Sequence, residues 1–207
     1  PQALNFQNQY IADNVHPLGE KDKLNVSSNV NAYNKAHEKY HPTFRKFLHE
    51  FEFYDIFIVE PKTGHIIYSV YKELDYATSL ITGPYKSSGI AKAFNEASSL
   101  KEGEFYVTDF EPYAPSYNGA ASFMSTPIYE NNTLTGVLIY QMPIAHINDI
   151  MIQDHEWLKT GFGKSGEIYI VGADNTLRSD SRLFVEDKQG YLDALKDKGI
   201  DAWKEID

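Results

Sequence analysis

The feature that most constrains this chain is the run of residues 51–86, FEFYDIFIVEPKTGHIIYSVYKELDYATSLITGPYK. Asp55-Ile56-Phe57-Ile58-Val59 is β-branched and aromatic, Pro61-Lys62-Thr63-Gly64 supplies turn chemistry, and His65-Ile66-Ile67-Tyr68-Ser69-Val70-Tyr71 resumes the strand pattern. Two such runs joined by a short Pro/Gly turn predict a β-hairpin. A weaker copy follows later. Glu167-Ile168-Tyr169-Ile170-Val171 leads through Gly172-Ala173-Asp174-Asn175 into Thr176-Leu177-Arg178-Ser179. An acid, Ile, an aromatic, Ile and Val precede a turn in both places, which points to a repeated module. Only about fifty residues follow Leu158, too few for a second module as large as the first. The second module is therefore expected to be truncated or reduced.

Ahead of the hairpin, residues 1–19 carry little pattern, and His16-Pro17-Leu18-Gly19 reads as a turn. Val26, Val30, Tyr33, His37, Tyr40, Phe44, Phe47 and Phe51 then recur at spacings of four and three, the stripe of a long helix that buries one face. Pro42 removes a backbone donor inside that stripe, so the expectation is a kinked helix or two helices nearly in line. The stripe packs on the chain's own sheet or pairs with a second copy. After the hairpin, Ser88–Ala97 is expected to be a short helix, with Ile90, Ala91, Ala93 and Phe94 apolar. Glu104–Thr108, Ala121–Ile128 and Leu134–Met142 are expected strands, with Asn131-Asn132 turning between the last two. The segment Asp109–Gly119 is too rich in Pro and aromatics for a simple turn and has the length of a binding loop. Ala145–Leu158 reads as a connecting helix and Tyr191–Lys198 as another. The expected class is α+β, an antiparallel sheet flanked by helices. The expected division is 1–53, an N-terminal helical segment; 54–150, a first, ligand-binding module; and 151–207, a connecting helix with a partial second module.

Charge and composition remove several function classes. The net charge of −10 is spread without a basic block and repels phosphate backbones and anionic membranes, so no nucleic-acid partner is expected. No run of about 18 apolar residues occurs, so nothing in the sequence reads as a membrane span. Zero Cys removes disulfides, thiol nucleophiles and thiolate metal sites, and leaves the compartment open. No signal peptide is visible, and the Gln/Asn-rich start suggests a piece of a longer protein. Aromatics make up 14% and are mostly Tyr, a residue that suits a polar pocket or an interface as well as a core.

The chemical motifs are weak. His37-Glu38-Lys39-Tyr40-His41 has the H-E-x-x-H form of a zinc hydrolase. Pro42 follows directly and is expected to turn His41 off the helical face, and both His are explained as packing or boundary residues. Gly163-Lys164-Ser165 resembles the end of a phosphate loop, yet Leu158 stands where Gly is required and a strand pattern follows. No catalytic residue, metal site or cofactor is expected. A binding cavity is the stronger reading. Tyr71-Lys72-Glu73-Leu74-Asp75-Tyr76, Gly83-Pro84-Tyr85-Lys86 and Asp109–Tyr117 set aromatics beside a few charges on loops, the mixture a small-molecule site needs.

At these residues the chain resembles the Cache (PDC, PAS-like) sensor domains of bacterial chemoreceptors, sensor histidine kinases and diguanylate cyclases. The resemblance is carried by Tyr54-Asp55-Ile56-Phe57-Ile58, Tyr68-Ser69-Val70-Tyr71-Lys72-Glu73, Gly83-Pro84-Tyr85, Thr108-Asp109-Phe110 with Pro112-Tyr113, and Gly136-Val137-Leu138 with Gln141-Met142-Pro143-Ile144. Thr160-Gly161 through Arg182 resembles the start of the second module of tandem forms. The resemblance implies a long N-terminal helix on a five-stranded antiparallel PAS-like sheet. It also implies a small-molecule ligand in the first module, a periplasmic or extracytoplasmic setting and flanking transmembrane helices outside this chain, while the stripe of the N-terminal helix is the basis for expecting a homodimer through that helix. Amino-acid-binding members use a Tyr, an Arg near a Trp-Tyr pair, and an Asp at the end of the last strand. Here Gly83-Pro84-Tyr85-Lys86 has neither Arg nor Trp, and Gln141 stands near the Asp position. That departure counts against an amino-acid ligand, while Lys72 and Lys86 favour a carboxylate-bearing one. The expected walls are Tyr85, Tyr113, Tyr117 and Phe123, and the expected polar contacts are Lys72, Asp109, Ser122 and Gln141. Strand alternation puts Val137, Ile139 and Gln141 on one face, expected to look into the pocket, and Leu138, Tyr140 and Met142 on the other, with Tyr140 expected against the long helix.

Overall fold

The computed structural model describes residues 2–152 and 156–200. Its chain divides into two compact units, Pro1–Pro143 and Ile144–Asp207. The first opens with α1 (Gln2–Gln7) and a π-helical turn over Asn8–Ala12, structure that the pattern-poor sequence of this segment did not announce. Tyr10 on that turn is fully buried. The long helix, α2 (Ala32–Glu50), starts where the Asn31 side chain accepts the Asn34 backbone N–H at 2.8 Å, a polar N-cap. Pro42 sits inside this one helix. Val26 and Val30 precede it, and the buried positions are Asn34, His37, His41 and Leu48. The expected stripe is thus displaced around the helix: Tyr40, Phe47 and Phe51 remain exposed. Hydrogen-bonded polar side chains occupy the inward face, and a reading of apolar spacing alone cannot locate such a face.

The hairpin forms as expected from β1 (Asp55–Val59) and β2 (Ile66–Ser69), antiparallel, with Phe57 opposite Ser69. The expected short helix is α3 (Gly89–Ala97). Then come β3 (Tyr106–Val107), β4 (Glu111–Tyr113), β5 (Gly119–Glu130) and β6 (Thr133–Pro143). Asn131 and Asn132, both at positive φ, make the two-residue turn into β6, a conformation in which the right-handed twist of the flanking strands is preserved. The sheet order is β2-β1-β6-β5-β3, with β4 also paired to β5. β3 and β4 lie on successive stretches of β5, so five strand positions cross an all-antiparallel sheet.

The two faces of the sheet bury different things. Ile56, Tyr68 and Val70 pack with Leu48 of α2, joined by Phe44, Phe53, Leu138 and Tyr140. Tyr140 thus meets the long helix, with its ring 6.1 Å from Phe47, as strand alternation required. On the opposite face Phe57, Val59, Phe123, Val137 and Ile139 pack against Ile90, Ala93, Phe94 and Ala97 of α3. Gly89 lets α3 start close against the sheet, since a Cβ there would stand 3.3 Å from the Phe123 ring.

In the second unit, α4 (Ile144–Ile152) covers part of the expected connecting helix. Residues 153–155 of that expectation lie outside the described residues, and Trp157–Leu158 form turn. The echo of the hairpin is loose: Val171 bridges Leu177, and Arg178 N–H donates to the Ile170 carbonyl at 2.8 Å. α5 (Arg182–Glu186) and α6 (Lys188–Asp197) follow.

Candidate ligand-binding site

One end of the α3-side sheet face turns polar. Asp55 opposes Gln141 across β1 and β6, and Gln141 opposes Phe123 across β6 and β5, so the three side chains share a row. Asp55 is fully buried and fully engaged: it accepts from Ser69 Oγ at 2.7 Å and from the Val70 and Tyr71 N–H groups at 2.9 and 3.2 Å. This carboxylate ties down the segment that leaves β2. Ser69 Oγ in turn accepts the Lys72 backbone N–H at 2.9 Å.

Lys72 is buried and has φ of 57°, a left-handed backbone unusual for a long side chain. Its Nζ donates to the Ser69 carbonyl and lies 4.6, 5.4 and 5.6 Å from the ring centres of Tyr68, Tyr76 and Tyr10. Aromatic faces stabilise such a desolvated cation. Burial pushes the ammonium pKa down, and Asp55 and Asp22 oppose that shift. Next to the tyrosines, the His37 and His41 rings stack at 4.3 Å, so the two imidazoles do share a helical face and Pro42 does not separate them. His41 Nε2 meets the Asp22 carbonyl at 2.6 Å and its Nδ1 the Tyr68 hydroxyl at 2.7 Å, while His37 Nδ1 meets the Asn25 carbonyl at 2.6 Å. Carbonyl partners require N–H at those nitrogens, so His37 Nδ1 and His41 Nε2 are the donors. Burial, reinforced by Lys72, holds His41 down at about 4 and His37 at about 2.

Beyond Lys72 the chain places two more acids inward. Glu73 accepts from the Tyr54 and Ser116 hydroxyls, both at 3.0 Å. Asp75, fully buried, accepts from the Tyr113 hydroxyl at 2.5 Å. Gln141 Nε2 donates to Ser116 Oγ at 2.9 Å. Two acceptors here, Asp75 Oδ1 and Gln141 Oε1, are buried without a hydrogen-bond partner. Burial raises Glu73 to about 8, with Asp55 and Asp75 adding repulsion. Asp75 is pushed up to about 7, again mainly by burial, against the pull of Tyr113. Beside this group lies a recess of about 150 Å³ lined by Lys72, Glu73, Leu74, Ala114, Pro115 and Tyr117, with Ile11 and Leu18 across from them. At ~30 Å³ per liquid water it has room for roughly five waters, or a guest of a few heavy atoms.

Of the residues selected from the sequence, Lys72 and Tyr117 line the recess. Gln141, Tyr113 and Phe123 lie deeper, and the Tyr113 and Phe123 rings meet edge to face at 5.1 Å. Tyr85 is half-buried, 6.2 Å from Tyr113. Ser122 is buried with its hydroxyl on the Thr108 carbonyl, and Asp109 is exposed, accepting from Phe110 N–H. The sheet face beneath Gln141 is filled by the protein's own rings, and the open volume stands to one side of it, between the turns. Of the two cations expected to favour a carboxylate-bearing guest, Lys72 spends its ammonium on a carbonyl and three rings, and Lys86 is exposed. Sequence reading placed Glu73, Asp75 and Ser116 in the segments of the cavity without selecting them as contacts, and missed Tyr10. A usable signal existed for Tyr10, since Phe6/Tyr10 and Tyr33/His37 are both i,i+4 pairs, and their rings meet at 4.6 Å.

No protein-family profile and no curated protein matches this chain. Solved structures do. The ligand-binding domain of the Campylobacter jejuni chemoreceptor Tlp3, in complex with 4-methylisoleucine, superposes with a TM-score of 0.52 at 11% identity, over 91% of this chain and 70% of that one. The ligand-binding domain of the Pseudomonas fluorescens chemoreceptor CtaA with L-serine gives 0.47 at 15% identity, over 91% and 69%. That of the Pseudomonas aeruginosa chemoreceptor PctC with GABA gives 0.45 at 16%, over 87% and 71%. At such identities the likeness is one of fold, and it rests on the first: the α+β, PAS-like sensor architecture implied by the sequence motifs is the architecture of this chain.

Proposed function

We propose that this chain is a non-enzymatic, extracytoplasmic sensing domain of a bacterial transmembrane receptor, binding a small metabolite in the unit Pro1–Pro143. The observation that carries the reading is the recess between Tyr71–Leu74 and Ala114–Tyr117, walled by apolar side chains and backed by buried charges. Small-molecule sites have this make-up. The shared fold supports it, since the Tlp3 domain holds a small molecule. Both walls contain left-handed residues, Lys72 and Tyr117, a strained arrangement of the kind found at ligand clamps. A guest that binds one arrangement of these turns better than another shifts the population toward it, and β2 and the turn after it share the buried network of α2. Among the described residues no helix is long and apolar enough to cross a membrane, so the membrane spans of such a receptor would lie elsewhere in it.

The test is a thermal-shift screen of a broad metabolite set. A true ligand at a hundred times its Kd stabilises by about 2.7 kcal/mol, a rise of roughly 5–10 °C for a domain of this size. Ala114→Trp, placed on the exposed rim to fill the recess, is expected to abolish the rise without lowering the melting point of the free protein. A screen with no stabiliser sinks the reading. It would favour a dimerisation module instead, for which the exposed Tyr40, Phe47 and Phe51 on α2 supply a surface.

A further inference from the structure

The recess stands open at its mouth. Leu18 on one wall and Leu74 and Tyr117 on the other remain 69%, 64% and 67% exposed. Apolar side chains left in water around a hollow gain by meeting over a guest. The two walls are held differently. Leu74 and Tyr117 belong to turns joined to the sheet by the hydrogen bonds that run from Glu73 through Ser116 to Gln141. Leu18 belongs to the loop Pro17–Lys23, which also gives Gly19 and Lys21 to the recess. At the tip of this loop, no atom stands within 4 Å of where a Cβ on Gly19 would be, so the tip has room to move. Its base is pinned by a reciprocal pair: the Asn14 amide donates to the Lys21 carbonyl at 3.0 Å, and Lys21 Nζ donates to the Asn14 carbonyl at 2.9 Å. On the other side of that pin, Asp22 is buried against α2. Its carboxylate accepts from Arg45 Nε at 2.7 Å and stands 3.6 Å from His49 Nε2, and its carbonyl accepts from His41 Nε2 at 2.6 Å.

We propose that Pro17–Lys23 is a lever that closes over a guest in the recess and carries the closure to α2 through Asp22. This rests on the sensing reading above and supplies the regulation of the same site. The Asn14–Lys21 pair is the pivot, Leu18 and Gly19 are the tip, and Asp22 is the heel. Lys21 and Asp22 are consecutive in one short helical turn, Lys21–Lys23, so a rotation that brings the tip inward displaces the heel. His41, Arg45 and His49 follow one another at intervals of four, which puts all three on one face of α2. A displaced Asp22 therefore acts on two turns of the helix at once. His41 also takes the Tyr68 hydroxyl on Nδ1, and the Tyr68 ring lies 4.6 Å from the Lys72 ammonium on the recess. The helix is thus tied to the moving wall by Asp22 and to the fixed wall by Tyr68, and it registers any change between them. A guest shifts the lever because the closed state offers it contacts with Leu18 that the open state lacks.

The experiment traps the closed state without a guest. The chain has no Cys, so an engineered pair is the only disulfide possible. Leu18→Cys with Tyr117→Cys puts one thiol on the tip and one on the far wall, both at exposed positions. Under mild oxidation the pair is expected to bond within one molecule, which requires the two Cα atoms to come within about 7 Å. Hydrogen exchange is then compared between the oxidised and reduced forms. Amides of residues 41–49 are expected to change their exchange rates by about fivefold or more on oxidation, and those of α3 to change far less. Asp22→Asn keeps the shape of the side chain and removes its charge, and Arg45→Gln removes the partner from the outer side. In either background the disulfide is expected to form and the α2 response to shrink; should Asp22→Asn fail to fold, Arg45→Gln decides. A folded double-Cys protein that does not cross-link overturns the closure. Cross-linking with unchanged exchange in α2, or a response undiminished by both substitutions, overturns the transmission. If the metabolite screen finds a stabiliser and the lever does not close, the sensing reading stands without it. If the lever closes and moves α2 but nothing in the screen stabilises, the sensing reading falls and the lever stands as a property of the fold.

Discussion

The two faces of one sheet follow opposite rules. Against α2, residues such as Ile56, Val70 and Tyr140 make an apolar contact with Leu48 and Phe44. Against α3 and the turns, the same strands carry Phe57 and Ile139 for most of their length and then present Asp55 and Gln141 at one end. The first face holds the fold together. The second bears a cost in desolvated charge that packing alone does not need, and buried carboxyls with raised pKa beside a recess are where a functional site is sought. That contrast can be broken or sharpened by experiment.

The largest effects come from single substitutions that test each face. Ile56→Ala opens a cavity in the α2-side core and is expected to cost about 2–5 kcal/mol in chemical denaturation. Asp55→Ala strands the Ser69 hydroxyl, three backbone N–H groups and Lys72, and is expected to cost about 3–5 kcal/mol. Ile56→Val is expected to be mild at about 0.5–1.5 kcal/mol, because only one methylene goes. An Asp55→Ala variant as stable as the parent would show that the polar end bears no structural weight.

An intermediate effect is the dependence on pH. Glu73 and Asp75 sit above their unfolded values of 4.5 and 3.8, so the stability they lend is complete below those values and is lost as pH rises through about 7 and 8. His37 and His41 sit below 6.5, so their contribution is complete above pH 6.5 and is lost as pH falls toward 4. The melting temperature of the ligand-free protein should fall as pH drops below about 4.5 and as it rises from about 6.5 to 7. No further fall is expected above about 8, because Lys72, whose pKa burial lowers to about 7, lends stability that is regained as pH rises past that value. Asp75→Asn should flatten the alkaline limb and leave the acid limb alone. Melts taken from about pH 4 to about pH 9 that rise steadily with pH would refute this assignment.

The smallest effect concerns the outer side of α2. Tyr40→Ser is expected to change the stability of the monomer by no more than about 1 kcal/mol, since the side chain is exposed, whereas Phe47→Ser is expected to cost more because its ring also meets Phe53 and Tyr140. If that stripe pairs two copies, sedimentation of the double variant should show monomer at concentrations where the parent dimerises. Identical sedimentation of the two would leave the stripe without a partner.

The sequence of these elements was readable because each is short-range. β1, β2, β5 and β6 alternate with a period of two, the Asn131-Asn132 turn tolerates positive φ, and α3 shows its apolar positions within nine residues. Alternation alone also separated Tyr140 from Gln141 and sent each to its side of the sheet. α2 was legible as a helix, but its inward face was not, because Asn34, His37 and His41 turn inward for hydrogen bonds that have no apolar signature.

What the chain order determined by itself, then, is the α+β sensor architecture and the tyrosine-rich loops from which a site is drawn. What only the tertiary structure decided is which of their polar groups converge. Asp75 meets Tyr113 across 38 residues, Glu73 meets Ser116 across 43, and Ser116 meets Gln141 across 25. No local period encodes such encounters. They arise when the sheet closes and loops from separate connections are folded over one edge, and only then does an ordinary surface acid become a buried one held by neutral hydroxyls.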